Sequence, residues 1–178
     1  MSIRLIFLSV VALIITVSGP VAAQGKAKAP PPCRADAHFR DFDFWLGKWK
    51  VYNRVGKKQF AGDNHISAIE GGCAILEQWK GKGGGTGKSV NYYNPINKKW
   101  RQIWLSAGNY MIDIEGGMVD GSMNLAGKIY YYTSGVAADF RGIWTPNEDG
   151  SVRQHFQQMN PKTGKWAEWF DGRYVKSE

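Results

Sequence analysis

The segment Asp41-Phe-Asp-Phe-Trp-Leu-Gly-Lys-Trp-Lys-Val51 restricts the choice of fold more than any other part of the chain. Phe39, Phe42 and Trp45 have the spacing of a helix-like entry, and the triplet Gly47-Lys48-Trp49 then opens an extended run. A Gly two residues before a Trp, at the start of a series of short strands, suits the closed floor of a small β-barrel. Gly permits the sharp turn, and a large flat ring plugs the bottom.

The rest of the chain has little helical spacing. Candidate strands are 45–53, 60–69, 74–79, 89–93, 100–105, 110–115, 122–125, 128–133, 139–144, 152–159 and 166–175. Between them stand Asn94-Pro95, Asp120-Gly121, Asp149-Gly150 and Lys162-Thr163-Gly164, pairs and triplets that supply tight turns. Short connections between so many strands imply an antiparallel meander, and closure removes the edges that an open sheet would expose. The expected fold is an all-β, antiparallel up-and-down barrel of about ten strands with a short N-terminal helical segment.

The first 23 residues read as a secretory signal. Arg4 supplies charge, residues 5–17 are apolar apart from Ser9 and Thr16, Gly19-Pro20 breaks the run, and Val21-Ala22-Ala23 offers small residues before a cut ahead of Gln24. The apolar run is shorter than the ~20 residues a spanning helix needs. The reading is therefore a periplasmic or secreted protein with no stable membrane insertion after cleavage. Residues 24–37, rich in Lys, Ala and Pro, read as a flexible leader, and 38–178 as the barrel domain.

Cys33 and Cys73 are the only two cysteines. In an oxidising compartment they form a single disulfide or remain two separate buried thiols. Three prolines directly before Cys33 argue against lipid modification there. The net charge of +8 falls to 8 − 1 = +7 without Arg4. It is spread over dispersed lysines with no basic helical stripe, which fits a solvated surface, excludes nucleic acid as the natural partner, and leaves the anionic cell envelope as an alternative one.

Several segments in order carry a resemblance: Phe42 to Val51, Gly72-Cys-Ala-Ile-Leu-Glu-Gln-Trp79, Trp100-Arg-Gln-Ile-Trp104, Glu115-Gly-Gly117 with Asp120-Gly121, Trp144-Thr-Pro146 with Asp149-Gly-Ser-Val-Arg-Gln154, and Lys165-Trp166 with Phe170-Asp-Gly-Arg-Tyr174. In these the chain resembles the DUF1579 family of secreted, calycin-like bacterial proteins of unknown function. The resemblance implies a fold like those of lipocalins, fatty-acid-binding proteins and nitrobindin. It further implies that a basic residue of the last strand, Arg173, covers Trp49. It brings no substrate and no catalytic set, and the family pattern has an apolar residue where this chain has His155.

Alternation nominates the interior. Trp100, Gln102 and Trp104 share one face, opposite Arg101, Ile103 and Leu105. Two indoles flanking an amide could stack a flat ligand, or serve as core packing with a partner for Gln102. Gln154 and Phe156 join the same list, as does Trp79, while Arg153, His155 and Gln157 take the other face. Trp166, Glu168 and Phe170 are expected to share a face. Glu77 and Glu168 are the weak catalytic candidates, as an acid/base pair across the barrel.

Other chemistries find little support. Lys82-Gly-Gly-Gly-Thr-Gly-Lys-Ser89 lacks the first Gly of a phosphate loop and leads into a strand, so it reads as a hairpin loop at the barrel mouth. His38, His65 and His155 show no metal-ligand spacing, and no cofactor is expected. The favoured function is a barrel that binds a small apolar or aromatic molecule. The alternatives are a barrel enzyme using a Glu/Gln site and a cationic module that contacts the envelope.

Overall fold

A computed structural model describes residues 31–54 and 59–177. The signal sequence at 1–23, its cut after Ala23, and residues 24–30 of the leader lie outside the described residues. Ten antiparallel strands run in sequence order around a closed barrel: β1 Gly47–Asn53, β2 Phe60–Ile69, β3 Ala74–Gly81, β4 Thr86–Asn94, β5 Lys99–Ser106, β6 Tyr110–Val119, β7 Ser122–Tyr131, β8 Ala137–Pro146, β9 Val152–Asn160 and β10 Lys165–Lys176. Each strand pairs with its neighbours in sequence, and β10 returns to β1 with Trp49 opposite Lys176 and Asn53 opposite Gly172. This is the expected up-and-down, calycin-like barrel. Among the described residues, no helix is long and apolar enough to cross a membrane.

Two of the eleven candidate strands are one. Segments 122–125 and 128–133 merge into β7 because Ala126-Gly127, which resembles a break, continues the ladder opposite Phe140 and Ile114. The absence of a side chain at Gly127 serves packing: a Cβ there would collide with the backbone carbonyl of Asp113.

The floor is built by the N-terminal segment. A short helix α1 (Pro32–Ala35) and two 3₁₀ turns (Ala37–Arg40 and Asp43–Trp45) precede β1. Asp36 caps the first turn by accepting from the His38 backbone N–H at 2.9 Å. Phe42 and Trp45, both fully buried, stack at 5.0 Å between ring centres. Trp100 and Trp144 meet Phe42 edge-on at 5.6 and 5.3 Å. Two indoles also fasten this segment through its backbone: Trp49 Nε1 donates to the Trp45 carbonyl at 2.8 Å, and Trp100 Nε1 donates to the His38 carbonyl at 3.1 Å. A disulfide between Cys33 and Cys73, Cα atoms 5.0 Å apart, ties α1 to the start of β3. The part of the expected leader from Pro31 onward is therefore anchored, and Cys33 is buried.

Gly47 has φ +134°, a backbone conformation that L side chains rarely adopt, and a Cβ there would strike Lys176 Nζ. That ammonium lies 4.1 Å from the centre of the Trp49 ring and donates to the Leu46 carbonyl. The basic residue over Trp49 is thus Lys176 rather than Arg173. Strand parity explains the difference. Lys176 shares the inward phase of Tyr174, whereas Arg173 lies one residue out of phase, faces outward, and bonds Asp149 and Ser151.

Candidate functional site

With the floor closed, the interior opens at the other end, toward the β3–β4, β5–β6 and β9–β10 loops. There a partly open cavity of about 180 Å³ lies among aromatic rings. Trp79 of β3, Trp104 of β5, Tyr110 of β6, Phe156 of β9, and Trp169 and Phe170 of β10 form its walls. Ile112, Gln154, Tyr174 and Glu77 complete the lining. The glycine-rich turn after β3 stands beside this mouth, as the hairpin reading of Lys82 to Ser89 anticipates.

The walls are fixed by ring contacts and by missing side chains. Trp169 meets Tyr110 and Phe140 edge-on at 5.2 and 5.4 Å, and its Nε1 donates to Tyr131 Oη at 3.2 Å. Tyr131 in turn donates to Gln158 Oε1 at 2.6 Å. Trp104 lies flat over the neighbouring strand at Gly87, where any Cβ would overlap the indole. A side chain at position 87 would push Trp104 into the cavity.

Below the rings is a polar layer centred on Glu77, which is 3 % exposed. Glu77 faces Ser89 across the β3–β4 ladder, and Gln102 faces Asn91 across β4–β5. Ser89 donates to Glu77 Oε2 at 2.6 Å, and Asn64 Nδ2 donates to Oε1 at 2.7 Å. Asn91 donates to Ser89 Oγ at 2.8 Å, and Gln102 donates to Asn91 Oδ1 at 2.9 Å. On the far side Asn64 Nδ2 also donates to Tyr174 Oη at 3.3 Å, and Tyr174 donates to Gln154 Oε1.

The network supplies hydrogen bonds to Glu77 but no positive charge. Among the described residues, no lysine, arginine or histidine lines the cavity and no ion pair to Glu77 exists. Burial therefore pushes its carboxyl up to about 7, and the bonds from Ser89 and Asn64 only partly offset the desolvation. Burial raises the Tyr174 and Tyr110 hydroxyls above their ordinary range, and the nearby Glu77 adds to both shifts.

The residues nominated by alternation occupy three depths. Trp79, Trp104, Gln154 and Phe156 line the cavity. Gln102 belongs to the polar layer, and Trp100 to the floor. Sharing a face places side chains inside the barrel but not at one height, because inward residues two apart on a strand lie roughly 6.6 Å apart along its length.

Glu168 is separated from Glu77 altogether. The β9–β10 register shifts between Glu168 and Phe170, a bulge that inserts Trp169. Trp166 and Glu168 therefore face outward, Trp166 beneath the Arg141 guanidinium at 4.4 Å, while Trp169 and Phe170 both reach the cavity. The expected shared face of Trp166, Glu168 and Phe170 does not form, and Glu77 and Glu168 cannot act as a pair across the barrel. Tyr110, Ile112, Trp169, Phe170 and Tyr174 are lining residues that sequence reasoning missed. Tyr110 and Ile112 alternate on β6 and could have been found by the pattern used for β5; the bulge at Trp169 leaves no local mark.

On the outer face, one ligand atom from each of His155, Glu168 and Asp171 lies within 4.8 Å of the others, although their sequence spacing does not announce it. Asp171 is already held by Arg153 through two bonds at 2.9 and 2.8 Å and approached by Arg54 at 3.3 Å. Two guanidiniums at this carboxylate oppose a metal ion. Burial, helped by Arg153, lowers the His155 imidazole below its ordinary value.

The architecture and its cavity define a calycin-like β-barrel with a closed floor and an aromatic mouth. No protein-family model matches the chain, and no curated protein matches it significantly.

Proposed function

We propose that this protein is a periplasmic or secreted container for one small apolar or aromatic molecule, held in the barrel mouth. The observation that carries the reading is the cavity of about 180 Å³ walled by six aromatic side chains above a floor packed shut. A dry cavity of ~150 Å³ accommodates a benzene molecule, so the occupant is about the size of a single ring rather than a long acyl chain. The Cys33–Cys73 disulfide supports an oxidising compartment, and the resemblance to the DUF1579 family is consistent with a secreted barrel.

The test is native mass spectrometry of protein exported with its own N-terminus and purified without organic solvent. The expected spectrum contains a population heavier than the polypeptide by the mass of a small organic molecule, lost on collisional activation. Only bare polypeptide, together with failure to take up any ring-sized compound added in excess, would overturn the proposal.

A further inference from the structure

We propose that the occupant of this cavity is an organic cation, a small amine whose ammonium group lies against Glu77 while its apolar body lies among the rings. The inference rests on the container reading and adds the charge of the molecule contained. Among the described residues, Glu77 is the sole carboxylate lining the cavity, and no cationic side chain stands in that lining to balance its charge. Both of its oxygens already accept one hydrogen bond, at 2.7 and 2.6 Å, yet a carboxylate offers about four lone-pair sites. The polar layer behind it holds one unused acceptor: Asn64 Oδ1 is buried without a hydrogen-bond partner. An N–H-bearing cation supplies what this layer lacks, a positive charge and several donors.

The walls favour the same chemistry. Trp79, Trp104, Tyr110 and Trp169 present π-systems around the space above the carboxylate. Aromatic faces attract an ammonium through their quadrupoles, most strongly when water is excluded. An anionic ligand would meet a buried carboxylate and no cation among the described lining residues. A neutral ring would fill the volume and leave Glu77 unpaired.

The ionisation of Glu77 fits this assignment. Its carboxyl is pushed up to about 7, so the empty site is partly protonated at neutral pH and an arriving ammonium displaces that proton. Among the described residues, the other titratable groups facing Glu77 are Tyr174 from β10 and Tyr110 from β6, both raised by burial above the ordinary tyrosine range and so neutral where Glu77 titrates. Asn64 from β2 and Ser89 from β4 do not titrate. Affinity for an ammonium should therefore rise with pH through about 7 and then level off, while affinity for a neutral ring stays flat.

The experiment is calorimetric titration of the purified protein with benzylamine, benzyl alcohol and phenylacetate, which share a ring and differ in charge. Benzylamine is expected to bind at least tenfold more tightly than benzyl alcohol at pH 8, with phenylacetate weakest, and Glu77→Gln to collapse the difference between the first two. Equal binding of amine and alcohol, preference for phenylacetate (the outcome favoured by the basic exterior alone), or a tenfold preference surviving Glu77→Gln would overturn the inference and leave the container reading standing. Binding of none of the three would count against the container itself. Near-UV circular dichroism establishes that the variant is folded; if it is not, the wild-type ratio and its pH dependence decide.

Discussion

Replacing Cys33 and Cys73 together by serine is expected to destabilise the protein by about 4 kcal/mol, seen as a fall of about 10 °C in the unfolding midpoint. The bridge spans 40 residues of sequence. Closing a loop of that length removes conformational entropy from the unfolded chain, and the chain-entropy relation converts it to about this magnitude. The closed loop contains the whole floor segment, β1 and β2. Loss of the bridge therefore releases α1 and weakens the approach of Phe42 and Trp45 to Trp100 and Trp144. Thermal unfolding with and without reductant measures the effect. A midpoint unchanged within about 2 °C would mean that the floor holds its place without the tether.

Between pH 4.5 and pH 7 Glu77 should remove about 3 kcal/mol of stability from the ligand-free protein. Folding raises its carboxyl from 4.5 to about 7, and each unit corresponds to ~1.4 kcal/mol. The folded state holds the Glu77 proton more tightly than the unfolded chain does. The contribution is thus fully present below 4.5 and lost as pH rises through 7. Other groups titrate too. His155, lowered by burial, favours the folded state as pH rises through 6.5, and Asp149, lowered mainly by hydrogen bonds from Ser151, acts only below about 4. The difference between wild type and Glu77→Gln isolates Glu77. Unfolding free energies across pH 4–8 should show wild type losing about 3 kcal/mol relative to the variant. A relative change under 1 kcal/mol would show that Glu77 is solvated or paired.

These two predictions concern opposite ends of the barrel. The disulfide and its aromatic packing serve the floor, where every polar group of the indoles Trp49 and Trp100 finds a backbone carbonyl. Glu77 serves the interior beneath the mouth, where burial of an acid without a cation costs stability. A binding partner that supplies the missing charge would return part of that cost, a common signature of a site built for its ligand.

Much of the fold was legible because its signals are local. Gly47 and Trp49 mark the floor through a positive φ and a buried ring, and period-two alternation assigned Trp79, Trp104, Gln154 and Phe156 to the inside. What escaped depends on more than one strand. Trp169 enters the cavity, and Glu168 leaves it, because a bulge shifts the phase of β10 by one residue without a Gly or Pro to signal it. Lys176 rather than Arg173 covers Trp49 because it shares the inward phase of Tyr174, a parity the resemblance alone did not carry. Trp100 and Trp104 differ in depth because four residues of β5 separate them, roughly 13 Å along the strand. The Glu77 network joins Asn64, Ser89, Asn91 and Gln102 from three other strands, and only the register brings them together.

The chain holds eight tryptophans, whose indole N–H groups give separate signals in a ¹H–¹⁵N spectrum. Titration with toluene, a neutral ring that requires nothing of Glu77, should shift the signals of Trp79, Trp104 and Trp169, which line the cavity. Trp49 and Trp100 in the floor and Trp166 on the outer face should stay in place. Shifts confined to the first three would place the ligand where the barrel mouth predicts. Unmoved signals at saturating toluene, or movement led by Trp166, would contradict a container and point to a filled barrel that works from its surface.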